Sequence, residues 1–247
     1  MKRVIPILLI KDEIFVKTKN FNQKRYLGDI INAIRIFNEK QVDEICILDI
    51  SASINRKGPN FSILKDIISE CFMPVSYGGG INDIKDADKL FKIGVEKLIF
   101  NQSIINENFT LFNRLTTKYG NQSIVASINL KRTLFGKVKV YDYRKKKFIK
   151  TSIQNHLKLI ESLGFGEILI TDVDQEGTLS GKINKALINE FAKTRLPLIY
   201  NGGISSDKQI QKLLDEIGFL DALGVGARFV FQGPHNAVLI NYYNYKQ

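Results

Sequence analysis

One short phrase occurs twice in this chain, as Tyr77-Gly78-Gly79-Gly80-Ile81 and as Tyr200-Asn201-Gly202-Gly203-Ile204. The copies stand 123 residues apart in a chain of 247, half its length. Each follows a proline and a short apolar run, Pro74-Val75-Ser76 and Pro197-Leu198-Ile199, which reads as a buried strand entering a glycine loop. Glycine there lets backbone N–H groups approach a ligand with no Cβ in the way. Successive free N–H groups form a concavity for a phosphate. Two such nests half a chain apart predict a duplicated fold that holds a substrate with two anionic ends.

The duplication reaches beyond the glycines. Leu48-Asp49-Ile50 and Thr171-Asp172-Val173 keep the same separation, and so do Glu44 and Glu167 at the heads of the preceding apolar runs. Short β-rich runs alternate with segments of helical period. Eight strands are expected: Val4–Ile10, Glu44–Asp49, Val75–Tyr77, Lys97–Phe100, Ile124–Leu130, Glu167–Thr171, Leu198–Tyr200 and Ala222–Val225. Helical segments such as Gly28–Lys40, Ile84–Ile93, Asn155–Leu163 and Asp207–Ile217 lie between them. Such alternation predicts a parallel sheet, and eight units in one domain predict closure. The expectation is an α/β fold, a single (β/α)8 TIM barrel over residues 1–247 with a twofold half-barrel repeat.

Composition narrows the function classes. No apolar run is long enough to span a bilayer, and Lys11-Asp12-Glu13 interrupts the first run too early for a secretion signal. A soluble, cytoplasmic protein with no membrane partner is expected. Cys46 and Cys71 lack metal-ligand spacing and read as reduced thiols. With His156 and His235 as the only histidines, neither a metal nor another cofactor is indicated. The formal charge of +11 suits phosphorylated small molecules. The dense cluster Arg144-Lys145-Lys146-Lys147 has no interleaved aromatic platform, so nucleic acid is not expected as a partner. It reads as a mobile loop that reaches an anionic substrate.

Barrels of this kind build their sites at the C-terminal ends of the strands. That rule puts Asp49, Gly79, Gly80, Asn101, Asn129, Thr171, Asp174, Gly202, Gly203, Gly226 and Ala227 on one rim. At the opposite rim Arg3, Glu44, Lys97 and Glu167 stand at or just before strand starts. Two cations and two anions there can form a ring of salt bridges, which on spacing alone reads as a stability feature.

The half-barrel repeat, the paired nests and the phrase Asp172-Val173-Asp174-Gln175-Glu176-Gly177-Thr178-Leu179-Ser180-Gly181 resemble the cyclase subunit family of imidazole glycerol phosphate synthase. The similarity runs from Arg3-Val4-Ile5 to Ala222–Phe231. The resemblance implies that a glutaminase partner docks on the N-terminal face and releases ammonia, which crosses the barrel. At the C-terminal face ammonia meets a bis-phosphorylated ribulosyl aminoimidazole, which the barrel cyclises and cleaves. It implies one phosphate at Gly79, Gly80 and Asn101 and the other at Gly202, Gly203, Gly226 and Ala227. It makes Arg3, Glu44, Lys97 and Glu167 an ammonia gate and Lys17 a lysine of the first loop that helps close the site.

The departures from the family pattern are sharp. Its two catalytic aspartates fall on Leu9 and Asn129, neither of which transfers a proton. The serine before the second glycine pair is Asn201, and the aspartate of the sixth loop is Glu176. Asp12, Asp49, Asp174 and Glu176 stand near enough to supply an acid by another route. A kept gate with lost acids resembles the second-copy branch associated with surface-saccharide synthesis. There a glutaminase and a barrel deliver ammonia to a sugar amidotransferase that converts an N-acetyl group to an acetamidino group. That role is the leading expectation, and an authentic histidine-pathway cyclase is the alternative. The isomerase barrel one step earlier needs a first-strand aspartate and no partner, which Leu9 argues against.

Overall fold

The structure, a computed structural model, describes residues 2–242. In chain order its first twelve strands are β1 Arg3–Lys11, β2 Ile14–Lys19, β3 Gln23–Gly28, β4 Ile45–Asp49, β5 Val75–Gly78 and β6 Lys97–Phe100, then β7 Ile124–Arg132, β8 Val138–Asp142, β9 Lys147–Phe148, β10 Glu167–Asp172, β11 Leu198–Asn201 and β12 Ala222–Val225. Eight of them, β1, β4, β5, β6, β7, β10, β11 and β12, pair in parallel around a closed circle, with β12 returning to β1. Helices lie between the strands. The chain is a (β/α)8 TIM barrel.

Strand sequences explain the layering. In β1 nearly every residue is buried, because both faces are covered. Val4, Leu8 and Ile10 point outward into the core shared with the helices, while Ile5, Ile7 and Leu9 point into the barrel. The inner cluster continues with Cys46, Ile99, Val125, Leu169, Ile199 and Ala222, so the centre is filled by side chains.

The two halves repeat in their elements as well as in their sequence. Helices Ile84–Lys92 and Asp207–Glu216 follow the glycine loops at the same 123-residue offset. Each is N-capped by a short polar side chain: Asp83 Oδ1 accepts from Lys85 and Asp86, and Ser206 Oγ accepts from Gln209.

Two hairpins, unforeseen in the strand reading, rise from corresponding places. β2 and β3 follow β1, and β8 and β9 follow β7, each pair extending its barrel strand by antiparallel pairing. The β1–β2 turn has Asp12 and Glu13 both at positive φ, 47° and 70°. Such a two-residue turn usually shows itself through Asn-Gly or Asp-Gly, and Asp-Glu hides it. Arg144–Lys147 was expected to be a mobile loop. It is instead part of a hairpin, with Tyr143–Lys146 closing the turn between β8 and β9. Among the described residues no helix is long and apolar enough to cross a membrane.

Candidate functional site

A cavity of about 150 Å³ opens at the C-terminal ends of the strands. Its floor is apolar, made by Ile7, Leu9, Leu48 and Ile99. Above the floor, uncharged polar side chains line the wall: Asn101, Ser127, Asn129, Thr171 and Asn201. Asn101 Nδ2 donates to the Ser127 carbonyl at 2.7 Å, and Asn201 Nδ2 to Thr171 Oγ1 at 3.3 Å.

Leu9 and Asn129 both line this mouth, and they are equivalent in the two halves. Leu9 lies beside Leu48, and Asn129 beside Thr171, the residue 123 positions after Leu48. Each therefore stands at the same level of its half-barrel. The pair of positions is intact in geometry and carries no titratable group.

The glycine pairs repeat almost angle for angle, with φ of 132° and 70° at Gly79 and Gly80, and 130° and 76° at Gly202 and Gly203. Their surroundings repeat too. A Cβ at Gly79 would meet the Asp49 carbonyl oxygen at 2.5 Å, and one at Gly202 the Asp172 carbonyl oxygen at 2.9 Å. The backbone conformation and the close approach both demand glycine. Beside each pair a short helix begins, Gln102–Ile105 after Asn101 and Ala227–Val230 after Gly226. Each half thus gathers a glycine loop and a helix start around one spot.

The expected single rim is divided. Gly79, Gly80 and Asn101 open onto the mouth with Asp49, Asn129, Thr171 and Glu176. Gly202, Gly203, Gly226 and Ala227 line a separate cleft of about 10 Å³, and Lys17 and Asn201 wall both spaces. Lys17 Nζ reaches Glu176 at 2.8 Å, and Thr18 Oγ1 donates to the other oxygen of that carboxylate at 2.9 Å. Lys17 and Glu176 are both buried, so the pair is desolvated and self-neutralising.

The remaining acids are engaged or turned away. Asp49 Oδ1 accepts from Ser51 N, Ser51 Oγ and Ala52 N. Asp174 does not wall either cavity; its Oδ2 accepts the Arg132 amide at 2.8 Å and ties the end of β7. Asp12 is exposed beside Lys11 and Asn55.

Asp172 is 1 % exposed, and its Oδ2 has no hydrogen-bond partner. Burial lifts its carboxyl from 3.8 to about 6, against the opposing pull of the Arg132 guanidinium. The folded chain thus holds this proton more tightly than the unfolded chain does. The associated stability is fully present below about pH 3.8 and is lost as pH rises through 6. Asp172→Asn removes the titration. Its stability relative to the unaltered chain should therefore rise by about 1–2 kcal/mol between pH 4.5 and 7.5. Thermal unfolding across that range checks this, and a pH-independent difference would contradict it.

At the opposite end the four charged residues meet. Arg3 Nη1 contacts Glu44 Oε2 at 2.7 Å and Arg3 Nη2 contacts Glu167 Oε1. Lys97 Nζ contacts Glu44 Oε2 at 3.2 Å and Glu167 Oε2 at 2.9 Å. Each carboxylate bridges both cations, so the ring is closed. Directly inside it lies a void of about 10 Å³, space for one water-sized molecule, lined by Glu44, Cys46, Ser76 and apolar side chains. Ile7 and Ile99 border both this void and the mouth. Burial pushes the Cys46 thiol up to about 12, so it stays a neutral wall.

Sequence reading missed Thr18, Phe21 and Tyr143 on the mouth wall, while Arg144, expected on a segment that reaches the substrate, lines the mouth beside them. They arrive on the two hairpins, and Phe21 packs edge-on against Tyr143 at 5.1 Å, joining the hairpins. The signal was present in the β-rich run Ile14–Thr18, in the alternation Val138-Lys139-Val140-Tyr141, and in Gly136 at positive φ in the turn between β7 and β8.

The family described as "Histidine biosynthesis protein" matches residues 3–233. Among similar curated proteins, "Putative imidazole glycerol phosphate synthase subunit hisF2" of Pseudomonas aeruginosa is 39% identical over 98% of this chain and 95% of its own. "Putative imidazole glycerol phosphate synthase subunit hisF3" of Vibrio vulnificus is 37% identical over 97% of this chain and 92% of its own. "Imidazole glycerol phosphate synthase subunit HisF" of Dictyoglomus turgidum is 35% identical over 93% of this chain and 90% of its own.

Proposed function

This chain belongs to the histidine biosynthesis protein family, and we propose that within it the barrel is a HisF-like subunit that conducts ammonia without cyclising. A glutaminase docks on the N-terminal face and releases NH₃ at the ring of Arg3, Glu44, Lys97 and Glu167. The molecule crosses the axial void, passes Ile7 and Ile99, and leaves at the mouth. There a sugar amidotransferase uses it to convert an N-acetyl group to an acetamidino group, as in surface-saccharide synthesis: NH₃ adds to the amide carbon, and the oxygen leaves after activation by a nucleoside triphosphate. The glycine nests hold a phosphorylated small-molecule ligand.

The observation that carries this reading is the pairing of a closed ring and axial void with a mouth whose two equivalent positions hold Leu9 and Asn129. Past Glu44 of the ring itself, the walls of the void are apolar apart from Ser76 and the protonated Cys46, which suits passage of a small neutral molecule. On the ring's own face, Phe72 stands 86% exposed between a helix and the start of β5, which suits a docked glutaminase. The relatives named hisF2 and hisF3 carry numerals of additional copies, which fits a branch parallel to the histidine pathway. The second reading, a cyclase in that pathway, draws support from the two nests and from the relative named plainly as HisF.

Channelling has a direct test. The three proteins are mixed with an N-acetyl sugar acceptor, a nucleoside triphosphate and glutamine labelled with ¹⁵N in its amide, in excess unlabelled ammonium. Label should be retained in the amidine product, because NH₃ never equilibrates with solvent. Full dilution of the label, or product only from added ammonium, would refute the conduit.

A further inference from the structure

The hairpin after β7 is unlike the rest of the surface. Its turn carries Leu134 and Phe135, which are 102% and 97% exposed, the two most exposed large apolar side chains among the described residues. The turn is closed by Thr133 N donating to the Lys137 carbonyl at 2.9 Å and Gly136 N donating to that of Thr133 at 2.9 Å. Leu134 and Phe135 are therefore held outward by hydrogen-bonded backbone. Around them the charge is almost all of one sign. Residues 131–150 hold nine Lys or Arg side chains against a single acid, Asp142, a net +8 in a chain whose total is +11. The base of the same hairpin reaches the mouth, where Tyr143 and Arg144 line the cavity.

We propose that this hairpin is a docking arm: its apolar tip and basic flanks seat in an acidic-rimmed apolar pocket of the ammonia-consuming enzyme and hold that enzyme over the mouth. The inference rests on the conduit reading above. Charge chooses among occupants. A second copy would bring another +8 segment against the first and be repelled. The glutaminase sits on the opposite face of the barrel. An anionic lipid surface matches the charge but cannot consume ammonia, and the arm's attachment to the mouth wall presses whatever it holds against the outlet. Apolar anchors that fill a partner's pocket supply affinity, and the surrounding charges steer association.

The test uses the barrel–glutaminase complex and immobilised sugar amidotransferase. Leu134→Ser with Phe135→Ser should weaken binding by about tenfold or more. Lys145→Glu with Lys146→Glu should slow association, and binding of the unaltered complex should weaken between about 50 and 300 mM salt. These positions are on the surface, so the variants fold, and glutaminase binding should not change. If the variants bind as tightly as the unaltered complex, the arm is not the docking element, although the conduit reading stands. No binding by the unaltered complex overturns arm and acceptor together. Arm-dependent binding to vesicles of phosphatidylglycerol and phosphatidylethanolamine, with none to the enzyme, assigns the arm to lipid and overturns the proposal.

Discussion

Given glutamine, a glutaminase and the bis-phosphorylated ribulosyl aminoimidazole, this barrel should form cyclised product about 10²- to 10⁴-fold more slowly than a synthase with aspartates at both strand ends. One positioned acid or base is worth about 10² to 10⁴ in rate. Groups that act as a unit do not add simply, so the larger single loss sets the floor. Leu9 offers no proton, and Asn129 can orient a group but not titrate. The neighbouring acids do not replace them. Glu176 is neutralised by Lys17 at 2.8 Å, one oxygen of Asp49 is taken by three donors, and Asp174 faces the end of β7. Single-turnover product formation measures the effect. The cavity and both nests remain, so the substrate should still bind, and the loss should fall on the chemical step rather than on affinity. Turnover within tenfold of a normal synthase would mean that another group handles the protons, and the chain would then be a cyclase.

How far the sequence foretold this molecule depends on the kind of signal. All eight barrel strands were legible, because they are short, mostly apolar runs buried on both faces and bounded by proline, glycine or charge. The twofold repeat was legible because the two glycine loops tolerate little change: a Cβ at Gly79 or Gly202 has no room. The hairpins were not: the turns at Asp12-Glu13 and Tyr143–Lys146 contain no glycine, and the one at Thr133–Lys137 shows only the single Gly136 behind the apolar pair Leu134-Phe135. Nor was the division of the rim. It depends on where Lys17 comes to rest, and that is decided by Glu176 and Thr18 across the barrel mouth, a contact between residues 158 positions apart. The charged ring lies between these cases. Strand starts placed its four members on one rim, but only three-dimensional closure puts both carboxylates against both cations.

That closure makes Lys97→Met the most telling change in the lower half of the barrel. Glu44 and Glu167 have side chains 6% exposed, and each now rests on two cations. Without Lys97 both carboxylates depend on Arg3 alone. Leaving a buried charge poorly paired costs about 3–5 kcal/mol. Lys97 is itself 23% exposed, and water partly replaces it, so a loss of about 2–4 kcal/mol is expected. Denaturant unfolding measures that part. A ring that also controls passage has a second consequence. Glutamine hydrolysis should continue in the complex while the fraction of amide ¹⁵N reaching the acceptor falls about tenfold or more, because NH₃ escapes at an unsealed entrance. Glu44→Gln tests the same edge from the other side, since it removes the charge that balances both cations and keeps the side-chain shape. The two roles separate cleanly in these data: a purely structural ring lowers stability and leaves the ratio of transferred to released ammonia where it was, and that unchanged ratio would return Arg3, Glu44, Lys97 and Glu167 to a plain supporting belt.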